Sequence, residues 1–513
     1  MKYIGMIVGV MILAGVAGAT EQKKYEASWD SLAKYEVPKW YQDAKFGIWP
    51  HWGVYSVPAF RGDHAAEWYG RWIYCVEKGD TKTHKNGGLY NDYFEDRALK
   101  TAAYHRAKYG DPAEFGYHDL VDLWKAEKWD AEAWAQLADD AGAKFFCMMG
   151  MHHDGFALYD SDLTRWNSVE KGPKRDLVGE MRNAVRKRGL KFGVSNHFAW
   201  NYEFFGFYHR NGFAKGQEDL NDLYSRGVVD DAYLERWWKR TTELVDKSDC
   251  DLYYFDWGWN KPEWREKNFH ARFASYLYNK GIETGKGRLG SPGTVLCSKR
   301  NDVPVQCGVR DLERRQMTDI QPNVWQTDTS ISVHSWGYST QDEYRTGGQL
   351  IDSLIDIVSK NGVMMLNFGP RADGTVPAEY KKPLLEMGAW LKICGESIYS
   401  TRPYSVFGEG PELSQQRQQH DHHTVYTGEH IRYTRSKDSN TLYAIALDWP
   451  GKQMVLKLLS ATDVDRIQAV QLLGVDGDLL WRQAPQGVEI DLPARPNYGM
   501  AYPLRIVMKK RNK

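Results

Sequence analysis

The chain has 513 residues, and its 67 Lys and Arg residues balance 67 Asp and Glu residues, so the formal net charge at pH 7 is zero. This balance argues against a nucleic-acid-binding or polyanion-coating protein, and the length suffices for one large domain plus a smaller one. Aromatic residues make up 14% of the chain, with 21 Trp and 31 Tyr. Such an excess of aromatic rings in a neutral protein favours surfaces that stack on sugars, and packing in the core is the alternative for many of them.

The first 19 residues have the pattern of a removable export signal. Lys2 supplies the positive charge, Ile4 to Val16 the apolar core, and Ala17-Gly18-Ala19 the small residues at the cleavage site. The apolar core is too short to span a bilayer comfortably, and no other run approaches the roughly 20 residues required. The sequence therefore predicts a periplasmic or secreted protein without a membrane span.

Strand-like and helix-like segments alternate from about residue 129 onward. The segment 130–142 has the pattern of an amphipathic helix with an Asp cap and a terminal Gly, and a strand-like run follows at 144–150. The same alternation continues with helices near 175–189, 230–247, 265–280 and 348–360, and strands near 191–195, 252–255, 294–297, 309–313, 323–331 and 363–369. This alternation predicts a parallel sheet closed into a (β/α) barrel over residues 20–402.

Two other regions depart from this alternation. Residues 61–128 are mixed and rich in Tyr, Lys and His, and we expect an extended loop with short helices that shapes the mouth of a site. After residue 403, short alternating runs separated by turn residues predict a C-terminal antiparallel β-sandwich over 403–513.

Six cysteines could form disulfides after export: Cys75, Cys147, Cys250, Cys297, Cys307 and Cys394. Three of them, Cys147, Cys250 and Cys297, lie in or at the start of strand-like runs, which favours buried free thiols. Only Cys297 and Cys307 are close enough in sequence to suggest a pair.

Asp256 ends the buried strand predicted at Leu252–Phe255, and Gly258 between two tryptophans breaks that strand. In a parallel barrel, catalytic groups collect at the strand exits. A carboxylate at such an exit, walled by indoles, suits a nucleophile that faces a sugar. A capping role for the same aspartate is the alternative.

Further polar side chains follow the other strands. They are His51 after the first strand, His152, His153 and Asp154 after the second, Asn196 and His197 after the third, Glu67 and Trp68 in the early loop, and Arg300, Asp311 and Glu313 later. Four histidines at three strand exits are hard to explain as packing. A zinc site is an alternative, but neighbouring histidines on a strand face opposite ways and no HExxH or CxxC spacing occurs. We therefore expect no metal and no other cofactor.

Ordered blocks along residues 38–400 resemble one enzyme family. The blocks are KFGIWPHWGVYSVPA (45–59), EWY (67–69), AGAKFFCMMGMHHDGFALYDS (141–161), WNSVEKGPKRDLVGE (166–180), YYFDWGW (253–259) and LNFGPRADGTVP (366–377). They resemble the α-L-fucosidases of glycoside hydrolase family 29. The resemblance implies a (β/α) barrel with a C-terminal β-sandwich, hydrolysis with retention of anomeric configuration, and a glycan containing fucose or L-galactose as the partner. It carries no information on the number of subunits.

The resemblance also implies roles for individual residues. Asp256 matches the nucleophile, Glu313 stands where many members carry the acid/base, and Arg300 matches an arginine near that acid. The substrate-binding residues implied are His51, Glu67, Trp68, His152, His153 and Arg300, and we add His197 and Trp257 because they stand at the predicted strand exits.

Two departures from the family pattern bear on the chemistry. Gln326 follows Trp325 where many relatives have glutamate, which favours Glu313 as acid/base, with Asp311 as its rival. An ion pair of Glu313 with Arg314 or Arg315 is the structural alternative. Ser195-Asn196-His197 replaces residues that often line the sugar pocket as tyrosines, so the sugar itself stays open. Competing readings are an α-L-galactosidase, an inactive sugar-binding protein and a metal-dependent hydrolase.

Overall fold

The computed structural model describes residues 24–62, 65–76, 92–411 and 425–510, with the side chains of 92–96 excepted. The predicted export signal, residues 1–19, lies outside the described residues. Among the described residues, no helix combines the length and the apolar character that crossing a membrane requires.

Eight parallel strands close into a barrel in which each strand pairs with the next and the last pairs with the first. The strands are β1 Phe46–Pro50, β2 Phe145–Met151, β3 Lys191–Asn196, β4 Leu252–Phe255, β5 Val295–Lys299, β6 Val309–Asp311, β7 Trp325–Ser330 and β8 Gly362–Phe368. Nearly every strand residue is buried, because helices cover the outside of the sheet and side chains fill its interior. The predicted barrel is confirmed.

Helices lie between the strands and around the barrel mouth. They are α1 Trp29–Leu32, α2 Lys39–Ala44, α3 Tyr69–Trp72, α4 Asp92–Tyr109, α5 Leu120–Leu123, α6 Ala131–Asp140, α7 Leu177–Lys187, α8 Asn201–Phe204, α9 Gly206–Arg210, α10 Asn221–Tyr224, α11 Asp231–Ser248, α12 Pro262–Glu266, α13 Phe269–Glu283, α14 Gly347–Ser359 and α15 Ala378–Cys394. The predicted start of α6 is confirmed, since the Asp130 side chain accepts hydrogen bonds from the amides of Glu132 and Ala133.

The loop predicted at residues 61–128 contains one long helix, α4, of 18 residues. The expected short helices are present as α3 and α5, but a helix of this length was not expected. The helix escaped prediction because its apolar residues do not form one clear stripe, and a stripe is the signal on which helix prediction rests. Small residues such as Ala98 and Ala102 make its buried side.

The C-terminal region forms two antiparallel sheets, as predicted. One sheet has the order β13-β16-β11-β10-β9 and the other β12-β15-β14. Their strands are β9 Arg402–Glu409, β10 Ile431–Arg435, β11 Thr441–Ala446, β12 Gln453–Leu456, β13 Ile467–Leu472, β14 Trp481–Ala484, β15 Gly487–Asp491 and β16 Tyr502–Met508. The barrel helices meet the larger sheet through a buried ion pair, Arg432 Nε to Asp356 Oδ1 at 2.6 Å, and a hydrogen bond from Trp390 to Ala501.

All six cysteines are buried free thiols. The prediction of free thiols is therefore confirmed, and the suggested pairing of Cys297 with Cys307 is wrong. The reason is that both side chains belong to the packed core, where the sulfur of Cys297 lies near Tyr41 and Gln326.

Candidate active site

The strand exits bring a compact polar cluster together at the carboxyl end of the barrel. It consists of His51 after β1, His152 and His153 after β2, His197 after β3, Asp256 after β4 and Lys299 at the end of β5. All six side chains are buried. In a closed parallel barrel these exits face one mouth, so residues far apart in sequence become neighbours.

Asp256 lies at the bottom of this cluster and is only 3% exposed. Its Oδ1 is 2.6 Å from Lys299 Nζ, and its Oδ2 is 3.1 Å from His153 Nε2 and 3.3 Å from His197 Nδ1. Burial opposes ionisation of the carboxyl, but the Lys299 ammonium and the two imidazoles outweigh it and hold the pKa of Asp256 well below its usual range. The carboxylate is therefore ionised at ordinary pH.

Lys299 is the cation of the site, and sequence reasoning missed it. Its ammonium contacts Asp256 and also lies 3.0 Å from Glu313 Oε2 and 3.4 Å from Asp328 Oδ2. Burial would lower the pKa of Lys299, but Asp256 and the other surrounding carboxylates raise it well above its usual range. Three carboxylates therefore share one permanently charged ammonium.

Arg300, which the resemblance placed near the acid, lies outside this cluster. It is exposed, its φ of 60° is left-handed, and its guanidinium carbon is 5.9 Å from the centre of the Trp257 ring. The left-handed residue ends β5 and turns the chain outward, so the structure brings Lys299 to the carboxylates and leaves Arg300 at the rim beside Trp257.

Glu313 lies nearer the solvent, with 43% of its side chain exposed. It sits in the turn after β6. The neighbouring Arg314 donates hydrogen bonds from its guanidinium to the carbonyls of Ser332 and Val333. Among the described side chains, Glu313 therefore does not form the alternative ion pair with its sequence neighbours. The ion pair of Glu313 is with Lys299.

Asp311, the rival acid, lies below Glu313 and is 1% exposed. Its Oδ1 accepts a hydrogen bond of 2.7 Å from Gln326 Nε2. Burial, together with the neighbouring carboxyl of Asp328, raises the pKa of Asp311 well above its usual range. The strand predicted near 309–313 ends at Asp311, so Asp311 and Glu313 do not lie on one extended strand.

Asp328 connects this buried acid to the cluster. Its Oδ2 accepts a hydrogen bond of 3.0 Å from the Tyr254 hydroxyl and lies 3.4 Å from Lys299 Nζ. Burial raises the pKa of Asp328, while Lys299 opposes the increase. The pKa of Asp311 is raised well above its usual range, so Asp311 is the member of this pair that keeps a proton for the bond between the two carboxyls.

Hydrogen bonds hold the rings of His51 and His153 in place. His51 Nδ1 lies 2.9 Å from Asn367 Oδ1, and His153 Nδ1 donates to the carbonyl of His197 at 2.7 Å. Burial and the charge of neighbouring rings lower the pKa of His51 and His152 well below their usual range. These two rings are neutral and can either donate to or accept from a hydroxyl group.

Glu67 is buried at the mouth side of the cluster. Its Oε2 accepts hydrogen bonds from the amides of Trp336 and Gly337 and from Ser335 Oγ, at 3.0–3.2 Å. Burial raises the pKa of Glu67, and these bonds offset part of the increase. Its Oε1 is buried and has no hydrogen-bond partner among the described residues.

Aromatic rings form the walls. Trp68 and Trp257 lie with their planes 16° apart and their centres 6.3 Å apart, and both contact the ring of His153. On the opposite side, Trp336 packs against His51, with ring centres 5.2 Å apart. Sequence reasoning missed Trp336, although it follows the β7 exit at Ser330.

Gly258 lets this wall form. Its φ is 119°, and a Cβ there would lie 3.0 Å from Trp200 Cβ and 3.2 Å from the Trp200 amide nitrogen. A side chain at this position would therefore push Trp257 and Trp200 apart, whose ring centres are now 4.7 Å from each other.

Comparisons with known proteins place this geometry in a family. The sequence profile described as alpha-L-fucosidase matches residues 12–396, and that of the alpha-L-fucosidase C-terminal domain matches residues 419–507. The rat tissue alpha-L-fucosidase is 30% identical over 493 residues, covering 94% of this chain and 91% of its own length. The human tissue enzyme is 29% identical, with 94% and 90% covered.

Solved structures agree in fold. The Thermotoga maritima alpha-fucosidase in complex with fucose is 29% identical, with a TM-score of 0.72 over 94% of this chain and 100% of that one. A Bacteroides thetaiotaomicron alpha-L-fucosidase trapped as a covalent intermediate is 19% identical with a TM-score of 0.65, covering 95% and 98%, and this match supports the fold alone. With the family profile over more than half of its length, the chain belongs to the α-L-fucosidase family of glycoside hydrolases.

Proposed function

We propose that this protein removes terminal α-L-fucose from glycans with retention of anomeric configuration, by a double displacement. Asp256 is the nucleophile and Glu313 the acid/base. The observation that carries the proposal is the single ammonium of Lys299, which lies 2.6 Å from Asp256 and 3.0 Å from Glu313. A cation shared in this way suits two carboxyl groups about 5–5.5 Å apart, the separation that retention requires.

In the first step, Asp256 attacks the anomeric carbon while Glu313 gives its proton to the oxygen of the leaving group. In the second step, Glu313 takes a proton from water, and that water breaks the bond between the sugar and Asp256. The burial gradient supports this division of roles. The buried Asp256 faces the sugar, whereas the partly exposed Glu313 can reach a leaving group that extends into solvent.

The pocket above Asp256 suits one sugar ring. The neutral rings of His51 and His152 and the free oxygen of Glu67 supply donors and acceptors for hydroxyl groups. Each such bond to the transition state contributes roughly 1–3 kcal/mol. Trp68 and Trp257 close one wall of this pocket, and a wall of this kind suits a terminal sugar residue, which supports exo-action.

A panel of 4-nitrophenyl glycosides tests the proposal. We expect release from the α-L-fucoside, weaker release from the α-L-galactoside, which adds a hydroxyl group at C6, and none from the β-D-galactoside. NMR of the first-formed sugar should show the α-anomer, as retention requires. A β-anomer as first product would refute the double displacement, and no release from any glycoside would favour an inactive sugar-binding protein.

We also propose that the protein is exported. The support is the sequence of residues 1–19, with its charged start, apolar core and Ala17-Gly18-Ala19 end. Sequencing the amino terminus of protein recovered outside the cytoplasm should give Thr20 as the first residue. An uncleaved Met1 in that fraction would contradict the proposed signal.

Replacing Lys299 by methionine is expected to move the acid limb of the kcat/KM profile to higher pH. The limb reports protonation of the nucleophile, whose pKa the ammonium now keeps low. Without the ammonium, burial acts on Asp256 with less opposition, so its pKa rises and the ionised fraction falls first at acid pH. We expect kcat/KM at neutral pH to fall roughly 10- to 100-fold.

Two variants serve as controls for this change. Lys299→Arg keeps the charge and should restore most of the acid limb. Asp311→Asn keeps a hydrogen-bond donor beside Asp328 and should leave the limb where it is. The interpretation fails if the limb of Lys299→Met coincides with that of the unaltered protein.

A further inference from the structure

Three buried histidines present ring nitrogens to one small volume. His51, His152 and His197 each offer a nitrogen, and these atoms all lie within 4.8 Å of one another. Within the described part of the chain, His152 Nδ1 and His197 Nε2 have no hydrogen-bond partner although both are buried. Two buried ring nitrogens without a hydrogen-bond partner, on neighbouring histidines, indicate a ligand that accepts nitrogen lone pairs or hydrogen bonds.

Neighbouring groups fix which nitrogen of His51 carries the proton. Its Nδ1 is 2.9 Å from Asn367 Oδ1, and the amide of Asn367 is oriented by its Nδ2, which donates to Ser330 Oγ at 2.9 Å and to the carbonyl of Trp336 at 2.8 Å. The oxygen can only accept, so His51 Nδ1 donates. A lone pair remains on Nε2.

His197 is fixed in the same way by a carboxylate. Its Nδ1 lies 3.3 Å from Asp256 Oδ2, an acceptor, so Nδ1 carries the proton and the orphaned Nε2 carries the lone pair. Histidines that bind metal ions almost always donate their other N–H to a carboxylate or carbonyl oxygen. Both His51 and His197 have that arrangement.

We propose that His51, His152 and His197 form a binding site for a divalent transition-metal ion of the zinc type, and that the bound ion excludes the sugar. Imidazole nitrogens suit Zn²⁺ and Cu²⁺. A tetrahedral zinc ion with bonds of about 2.1 Å requires nitrogens roughly 3.4 Å apart, so the rings, whose nitrogens now lie within 4.8 Å of one another, would have to move closer together on binding. The ion is an inhibitor here and not a cofactor of hydrolysis.

A second group of possible ligands, His153, His197 and Asp256, is the weaker candidate. Both ring nitrogens of His153 already face acceptors, the His197 carbonyl at 2.7 Å and Asp256 Oδ2 at 3.1 Å. The Lys299 ammonium at 2.6 Å from Asp256 would also repel a cation. In the first group, by contrast, His152 Nδ1 and His197 Nε2 have no hydrogen-bond partner among the described residues, and Asp256 enters only as the acceptor for His197 Nδ1.

Calorimetric titration of the untagged, full-length protein with Zn²⁺ tests the site without turnover. We expect one ion per chain, and saturating L-fucose should weaken its binding at least tenfold. His51→Gln and His152→Gln should each lower the affinity at least tenfold, whereas His334→Gln, at an exposed histidine outside the cluster, should leave it unchanged. Binding that neither L-fucose nor the two variants weaken would overturn the proposal.

The inhibitory consequence rests on the proposed function and has its own test. Zn²⁺ should inhibit hydrolysis of 4-nitrophenyl α-L-fucoside competitively, and EDTA should restore the full rate. Binding without hydrolysis of any fucoside would refute the proposed function alone. Hydrolysis together with noncompetitive inhibition, or with no zinc binding at all, would refute the metal site alone.

Discussion

Replacing Asp256 by alanine is expected to reduce kcat for 4-nitrophenyl α-L-fucoside by about 10³- to 10⁵-fold, because the step that breaks the glycosidic bond loses its nucleophile. The substitution leaves a small space in front of the anomeric carbon, beside the Lys299 ammonium that had contacted the carboxylate. Azide fits this space and carries the same charge. Added azide should therefore restore part of the rate and yield β-L-fucosyl azide, since a single displacement inverts the anomeric configuration.

The same substitution has a cost in stability that must be separated from the loss of catalysis. Breaking a buried ion pair costs roughly 3–5 kcal/mol when the remaining charge has no partner. Lys299 keeps Asp328 and Glu313 as partners, so we expect a smaller loss and a folded variant. Thermal unfolding followed by circular dichroism measures this loss.

Asp154 provides a matched control for the Asp256 substitution. It is an equally buried carboxylate at a strand exit, but it bonds to the Tyr117 hydroxyl at 2.7 Å and the Phe156 amide at 3.0 Å. Asp154→Asn should therefore keep kcat within about tenfold of the unaltered protein. Near-normal activity in Asp256→Ala, or rescue without any azide product, would mean that another residue is the nucleophile.

The barrel and the position of Asp256 could be predicted because both depend on local patterns. Leu252–Phe255 is a run of apolar and aromatic residues that can only be a buried strand, and the observed β4 has the same bounds. Whatever follows such a strand in a parallel barrel lies at the mouth. The same rule brought His51, His152 and His197 together without knowledge of their distances.

Lys299 shows where local patterns fail, because the strand pattern did not single it out and only its neighbour Arg300 was named, from the family resemblance. The two cations are adjacent, so a shift of one residue in the end of β5 exchanges the side chain that faces inward. The strand ends at Lys299, and Arg300 has a left-handed φ. No residue type in this segment predicts that conformation. The contact between Asp328 and Asp311 was not predicted for a related reason. It depends on the strand register in which Asp311 pairs with Gln326.

Replacing Glu313 by glutamine is expected to lower kcat/KM for a natural fucosyl disaccharide by about 10²- to 10⁴-fold, the usual contribution of general acid–base catalysis. A sugar alkoxide is a poor leaving group and needs the proton that glutamine cannot give. A nitrophenolate leaves without help, so the first step with 4-nitrophenyl α-L-fucoside should be nearly unchanged. The second step still needs a base, and a burst of nitrophenol followed by slow turnover should result.

The pH profile and a paired variant decide whether Glu313 or Asp311 holds this role. The alkaline limb of kcat/KM for the disaccharide reports deprotonation of the acid, so it should disappear in Glu313→Gln. Asp311→Asn should keep the limb, because Asp311 is buried below Glu313 and bonded to Gln326, where it cannot reach a leaving group. A limb that persists in Glu313→Gln and vanishes in Asp311→Asn would assign the acid to the deeper carboxyl, and would require the sugar to lie deeper in the barrel as well.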